Sequence, residues 1–137
     1  MGIEISTDPS RLDLSLIHEF LSSSYWAKGR PRDVVERSIE HSLCFGVYED
    51  GRQIAFARLI TDQAVFAYLA DVFVVPDHRG RGISRLLLDA IFADPRLKDV
   101  RVFRLATKDA HGLYAKYGFK PTVDPDKSME LFVDALK

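Results

Sequence analysis

Cysteine is nearly absent from this chain of 137 residues; the one present is Cys44. That excludes an intramolecular disulfide and a cysteine-rich metal site, and it fits a reducing compartment. An excess of one charge is missing too. Nineteen Lys and Arg stand against twenty Asp and Glu, a net charge of −1, so nothing draws the chain as a whole to nucleic acid or an anionic membrane. No apolar run approaches the roughly 20 residues a membrane-spanning helix needs. Met1-Gly2-Ile3-Glu4-Ile5-Ser6 lacks the basic segment and apolar run of a secretory leader. The four histidines are scattered, with no His/Cys cluster at metal-ligand spacing, so no metal is expected. Internal repeats, low-complexity tracts and linkers are lacking as well. The expectation is a cytoplasmic protein with no nucleic-acid or membrane partner.

What is present suffices for one domain over residues 1–137, since 47% hydrophobic and 28% charged residues are a globular balance. Ile3 to Ser6 reads as a first strand. Ser10 and Asp13 have capping-box spacing before a helix with Leu16, Ile17, Phe20 and Leu21 on one face. Tyr25 to Pro31 reads as a loop, with Pro31 near the start of a second helix whose buried side is Val34, Val35, Ser38 and Ile39. Leu43–Tyr48 and Gln53–Thr61 are strands joined by an Asp50-Gly51 hairpin turn. Val65–Val75 is a long strand and Arg101–Ala106 another. A short helix over Asp109–Tyr117 and closing strands over Gly118–Thr122 and Met129–Val133 complete the order βααβββαβαββ. The fold class is α/β with a mixed sheet flanked by helices.

The most informative stretch is Val72-Phe73-Val74-Val75-Pro76-Asp77-His78-Arg79-Gly80-Arg81-Gly82-Ile83-Ser84. An apolar strand runs into an arginine–glycine turn and then a helix with Ile83, Leu86, Leu87, Ala90 and Ile91 on one face, ended by Asp94-Pro95. Backbone N–H groups converge on an anion in this arrangement, and the glycines allow close approach. The implied ligand carries phosphates.

Arg79-Gly80-Arg81-Gly82-Ile83-Ser84 resembles the R/Q-x-x-G-x-G/A signature of the GNAT superfamily of acyl-CoA-dependent N-acyltransferases, with Ser84 where Gly or Ala is usual. Ala110-His111-Gly112-Leu113-Tyr114-Ala115-Lys116-Tyr117-Gly118-Phe119 is similar to the family's A-x-x-L-Y-x-x-x-G-F segment. Two motifs in the right order carry far more weight than either alone. The resemblance runs from about residue 3 to the end and implies a splayed GNAT-like sheet. It also implies acetyl-CoA as acyl donor and direct transfer to the amine of a small acceptor. On it, Arg79, Gly80, Arg81, Gly82, Ile83 and Ser84 would hold the pyrophosphate, and the backbone of Val74 and Val75 the pantetheine arm. Thr107 stands where the family usually has an asparagine touching that arm, and Thr107 or Asp109 otherwise caps the short helix.

Acyl transfer to an amine needs that amine deprotonated, an oxyanion donor and a proton for the departing thiolate. Tyr114 occupies the position of the family tyrosine that protonates the thiolate. A phenol near ~10 and a thiol near ~8.5 make that transfer depend on positioning, and packing beside the sulfur is the alternative. Asp71 interrupts an apolar strand, where a carboxylate is costly unless it is paired or opens onto a cleft. A general base and an ion-pair partner of Arg58 or Arg104 both fit. Tyr25, Trp26 and Arg30 either grip an acceptor bearing a carboxylate or plug the helix pair, and Arg58 has a weaker claim on the acceptor. His78 either touches a phosphate or is solvated, and Cys44 reads as a strand hydrophobe. A non-catalytic acyl-CoA-binding sensor is the rival reading, one that would need neither Tyr114 nor Asp71. A homodimer stays open.

Overall fold

The structure, a computed structural model, describes residues 2–133. The chain forms two compact units, Met1–Ala106 and Thr107–Lys137. The first holds a five-stranded sheet in the order β1-β2-β3-β4-β5, with β1 Ile3–Ser6, β2 Leu43–Glu49, β3 Arg52–Thr61, β4 Phe66–Val74 and β5 Val102–Arg104. The β1–β4 neighbours are antiparallel, whereas β4 and β5 run parallel. Helices α1 (Leu14–Ser22), α2 (Arg32–Glu40) and α3 (Ile83–Ala93) complete this unit.

β2 and β3 are buried along almost their whole length. That is the mark of a sheet covered on both faces, where alternation of polar and apolar residues disappears. On one face α1 and α2 close a cluster of Ile17, Leu21, Val35, Ile39, Cys44, Phe56 and Phe73, in which Phe20 stacks on Phe73 at 4.1 Å between ring centroids. Burial pushes the Cys44 thiol up to about 12, consistent with a small core hydrophobe. Helix α3 packs against β2, β3 and β4 through Ile83, Leu87, Leu88 and Ile91. Leu86, expected on that face, is instead 41% exposed. The strict i, i+3, i+4 pattern chose the wrong member of the leucine triplet.

Local signals were realised with small shifts. Asp50 and Gly51 take φ of 51° and 84°, the left-handed pair a tight hairpin demands. The first helix does not start from a Ser10–Asp13 box. A short 3-10 turn, Pro9–Arg11, intervenes, and Asp13 itself caps α1 by accepting from the Leu16 N–H at 3.0 Å.

The second unit contains α4, His111–Ala115, shorter than the expected Asp109–Tyr117. Neither closing strand forms among the described residues; Gly118–Thr122 is turn and coil. Met129, Leu131, Phe132 and Val133 are 73–96% exposed. Strand-like composition alone cannot supply a ladder partner, and β propensity expresses itself only on a paired, half-buried surface.

Candidate active site

β4 is bonded to β3 along its length but to β5 only over Phe66–Tyr68. Beyond Tyr68 its other edge has no strand partner among the described residues. The sheet therefore opens there. The Val75 N–H is already used, donating to the Ile54 carbonyl at 2.9 Å. The alternation of an extended chain turns Val74 the other way, toward the open edge. Of the two valines expected to meet an extended ligand, only Val74 presents its backbone there.

The strand then leads into a 3-10 turn, Pro76–His78, and to the arginine–glycine loop. Gly80 and Gly82 both have φ of 78°, and Gly82 is the N-cap residue of α3 without any side-chain cap bond. Left-handed backbone at both positions turns the loop around the helix start, where the first-turn amides lack helical partners. A Cβ at either glycine would stand in open space, so the requirement is for conformation and for room beside the loop. The loop lines a cavity of about 120 Å³ with Val74, His78, Arg79, Ile83, Ser84 and Arg85.

The two loop arginines part company. Arg79 lines the cavity, its Nε donating to the Val74 carbonyl at 3.1 Å. Arg81 instead reaches back to Glu49 at 2.9 Å, and His78 Nε2 lies 2.9 Å from the same carboxylate. The Arg81 hydrogen bond, with His78 assisting, holds the Glu49 carboxyl down to about 2. Sequence reasoning missed Glu49, because nothing in a hairpin-end glutamate announces a partner 32 residues away. His78 is not the solvated loop residue that was one of its two readings; its side chain is 14% exposed. Its Nδ1 is buried without a hydrogen-bond partner among the described residues. With Nε2 turned to the Glu49 carboxylate, the imidazole is committed to that pair rather than to the cavity.

A second cluster gathers on Asp71. Opposite Phe56 to Arg58, β4 carries an extra residue: Phe56 pairs with Phe73 and Arg58 with Ala70, leaving Asp71 and Val72 facing Ala57 alone. This is a β-bulge, and Asp71 takes its left-handed position at φ 54°. Aspartate is among the few non-glycine residues that tolerate that region. The Asp71 side chain is 2% exposed. Its Oδ2 accepts from Arg58 Nε at 2.8 Å and from Arg30 Nη1 at 3.0 Å, and its Oδ1 from Trp26 Nε1 at 2.9 Å. Arg58 also donates from Nη1 to the Ser42 hydroxyl at 3.1 Å. Trp26 is 39% and Tyr25 60% exposed, the two rings edge-on at 5.1 Å. The structure thus brings together Asp71, Trp26, Arg30 and Arg58, with Tyr25 alongside. The expected Asp71–Arg58 ion pair is present, joined by Arg30, which the sequence did not connect to it. An aspartate inside an apolar strand was the legible signal. The bulge that aims it was not.

In the second unit Tyr114 is buried, with Phe119 edge-on at 5.9 Å. The Phe119 N–H returns to the Tyr114 carbonyl at 3.2 Å, so the turn after α4 fixes the pair. Thr107 Oγ1 accepts from the Ala110 N–H at 3.0 Å, securing the turn that leads into α4. Neither cap candidate is the N-cap of α4, which is Ala110 without a side-chain cap bond; the Thr107 bond lies in the turn before it.

A mixed sheet that opens beside a glycine-turned loop leading into a helix N-terminus is the arrangement of a GNAT-type acetyltransferase fold. The chain matches the acetyltransferase (GNAT) domain family over residues 40–121, a span that runs across both units. A protein from Gibberella zeae named as an acetyltransferase is 32% identical over 85% of this chain and 78% of its own. The crystal structure of a Xanthomonas campestris protein named as a GNAT-family acetyltransferase is 56% identical, with a TM-score of 0.94 over 99% of this chain and 96% of that one. A Clostridium acetobutylicum protein named as an acetyltransferase and crystallised with acetyl-CoA shares the fold at 18% identity and a TM-score of 0.66, covering 96% of this chain and 95% of that one. This chain belongs to the GNAT acetyltransferase family. No helix among the described residues is long and apolar enough to cross a membrane.

Proposed function

We propose that this protein moves the acetyl group of acetyl-CoA to the amine of a small acceptor by direct transfer. The observation that carries the reading is the cradle: Gly80 and Gly82 in left-handed conformation at the start of α3, with Arg79 on the cavity wall. Arg79, Gly80, Gly82, Ile83 and Ser84 would hold the pyrophosphate, and Val74 the pantetheine amides along the open edge of β4. Arg81 is then an auxiliary charge that must first leave Glu49. Bound acetyl-CoA supplies an activated acyl carbon whose C–S bond is exchanged for a C–N bond. Holding amine and thioester together provides most of the acceleration. We assign Tyr114 as the proton donor to the sulfur. Asp71 acts as the anchor of Arg30 and Arg58, because a base there would first have to give up donors it already holds; water removes the amine proton.

Calorimetric titration with acetyl-CoA, with ATP as control, tests the cradle. Saturable binding to acetyl-CoA that Arg79→Ala weakens at least tenfold is the expected result. No heat from well-folded protein would overturn the reading. Tyr114→Phe should bind acetyl-CoA normally yet lose, by roughly 10²-fold or more, both transfer and slow acceptor-free hydrolysis. Unchanged turnover would remove Tyr114 as the acid.

A further inference from the structure

The cluster on Asp71 is out of electrical balance. Two guanidinium groups share one carboxylate, leaving a net charge of +1 where the side chains of Asp71, Arg58 and Arg30 are only 2%, 11% and 23% exposed. Among the described residues no second acid lies within ion-pair distance of either arginine. A buried charge without its own counter-ion is expensive, and one carboxylate divided between two cations neutralises neither. The donors are unspent as well. Each guanidinium carries about five N–H groups in a fixed fork. Among the described residues Arg30 gives one side-chain bond and Arg58 gives two, to Asp71 and Ser42. The Asp71 oxygens already accept from both arginines and the Trp26 indole, so the carboxylate serves to hold the forks rigid.

The surroundings of Arg30 make the cluster reachable. It sits on the α1–α2 loop directly after Gly29, whose φ of 75° turns the chain. Tyr25 and Trp26, on the same loop, keep 60% and 39% of their surface in water. A partly open guanidinium beside exposed aromatic rings is suited to an anion attached to an apolar or aromatic body.

The geometry points to Arg30 and Arg58, aligned by Asp71, as a receptor for an anionic oxygen group on the acceptor, so that the substrate class is an amine that also bears a carboxylate or a phosphate. This assignment rests on the reading of the protein as an amine acetyltransferase for its biological meaning, but the oxyanion site itself is defined by the cluster. The carboxylate or phosphate completes the charge balance, and the remaining Arg30 and Arg58 donors bind it in forked fashion.

The test is direct binding to the full-length chain in low-salt, phosphate-free buffer, with and without coenzyme A. The probes are 3-phenylpropanoate, 2-phenylethyl phosphate and the neutral 3-phenylpropanamide. At least one of the two anions should bind tenfold or more tightly than the amide, and the better of them identifies the group. Arg30→Gln should reduce that preference to under twofold and Arg30→Lys should retain part of it. Equal binding of acid and amide, or a preference untouched by Arg30→Gln, overturns the proposal. A thiol-release assay adds the second readout: 3-amino-3-phenylpropanoate should be acetylated in preference to its methyl ester, and Arg30→Gln should raise KM at least tenfold with a smaller change in kcat. Failure of acetyl-CoA to bind or be consumed, with anion selectivity intact, would refute the transferase reading and leave the oxyanion site standing. Acetylation with no preference for the anionic amine would do the reverse.

Discussion

Replacing Asp71 by Asn removes one charge and almost no volume, and the new side chain suits the same left-handed backbone, since Asn shares the tolerance of φ near 54°. The structure makes the consequence large. Two guanidinium groups and an indole converge on the carboxylate at 2.8–3.0 Å. An amide offers one acceptor oxygen and turns an NH₂ toward one of those donors. Each ion pair amounts to about 4 kcal/mol of gross attraction at an effective dielectric constant of ~20 and ~4 Å between charge centres. Arg30 can swing into water and recover much of its share. Arg58, 11% exposed and anchored on Ser42, cannot do so freely. Removing one partner of a buried pair costs about 3–5 kcal/mol; the retained acceptor and the mobility of Arg30 place Asp71→Asn near the lower end, at about 3 kcal/mol. With a urea slope of ~1.5 kcal/mol/M this moves the midpoint by about 2 M. The only tryptophan, Trp26, donates to Asp71 and reports the transition by fluorescence. Asp71→Ala should be worse by a further ~1 kcal/mol, because alanine tolerates the left-handed position poorly. A midpoint for Asp71→Asn within ~0.3 M of the parent at unchanged slope, or about 0.5 kcal/mol, would refute the argument that this carboxylate holds the cluster together.

Gly82→Ala should lower stability by about 1–2 kcal/mol through its left-handed φ alone, since the added methyl meets nothing; it should also weaken acetyl-CoA binding at least tenfold, and calorimetry beside thermal melting separates the two. The Glu49 carboxyl, held down to about 2 by Arg81, stabilises the fold fully above its ordinary value of 4.5 and loses that contribution as pH falls from there toward 2. Urea midpoints measured at pH 5, 4 and 3 should therefore fall less steeply in Glu49→Gln than in the parent; parallel curves would show that the pair with Arg81 adds nothing to the folded state.

Much of this molecule was written locally. The apolar spacing that makes α3, the Asp50-Gly51 turn and the strand–glycine–helix order of the anion cradle depend on contacts between residues a few positions apart, and a sequence displays such contacts directly. The left-handed Gly80 and Gly82 were legible because a short motif surrounds them. Tertiary structure decided the rest. Whether Asp71 was paired depended on a one-residue bulge in β4 and on a loop some 45 residues earlier that delivers Trp26 and Arg30. Whether Arg81 faced the cradle depended on Glu49 at the far end of a hairpin. Met129 to Val133 carries strand composition and is no strand in this structure. A propensity is a property of one segment, whereas a hydrogen-bond ladder, an ion pair and a bulge register are properties of two, and only the folded chain determines which segments meet.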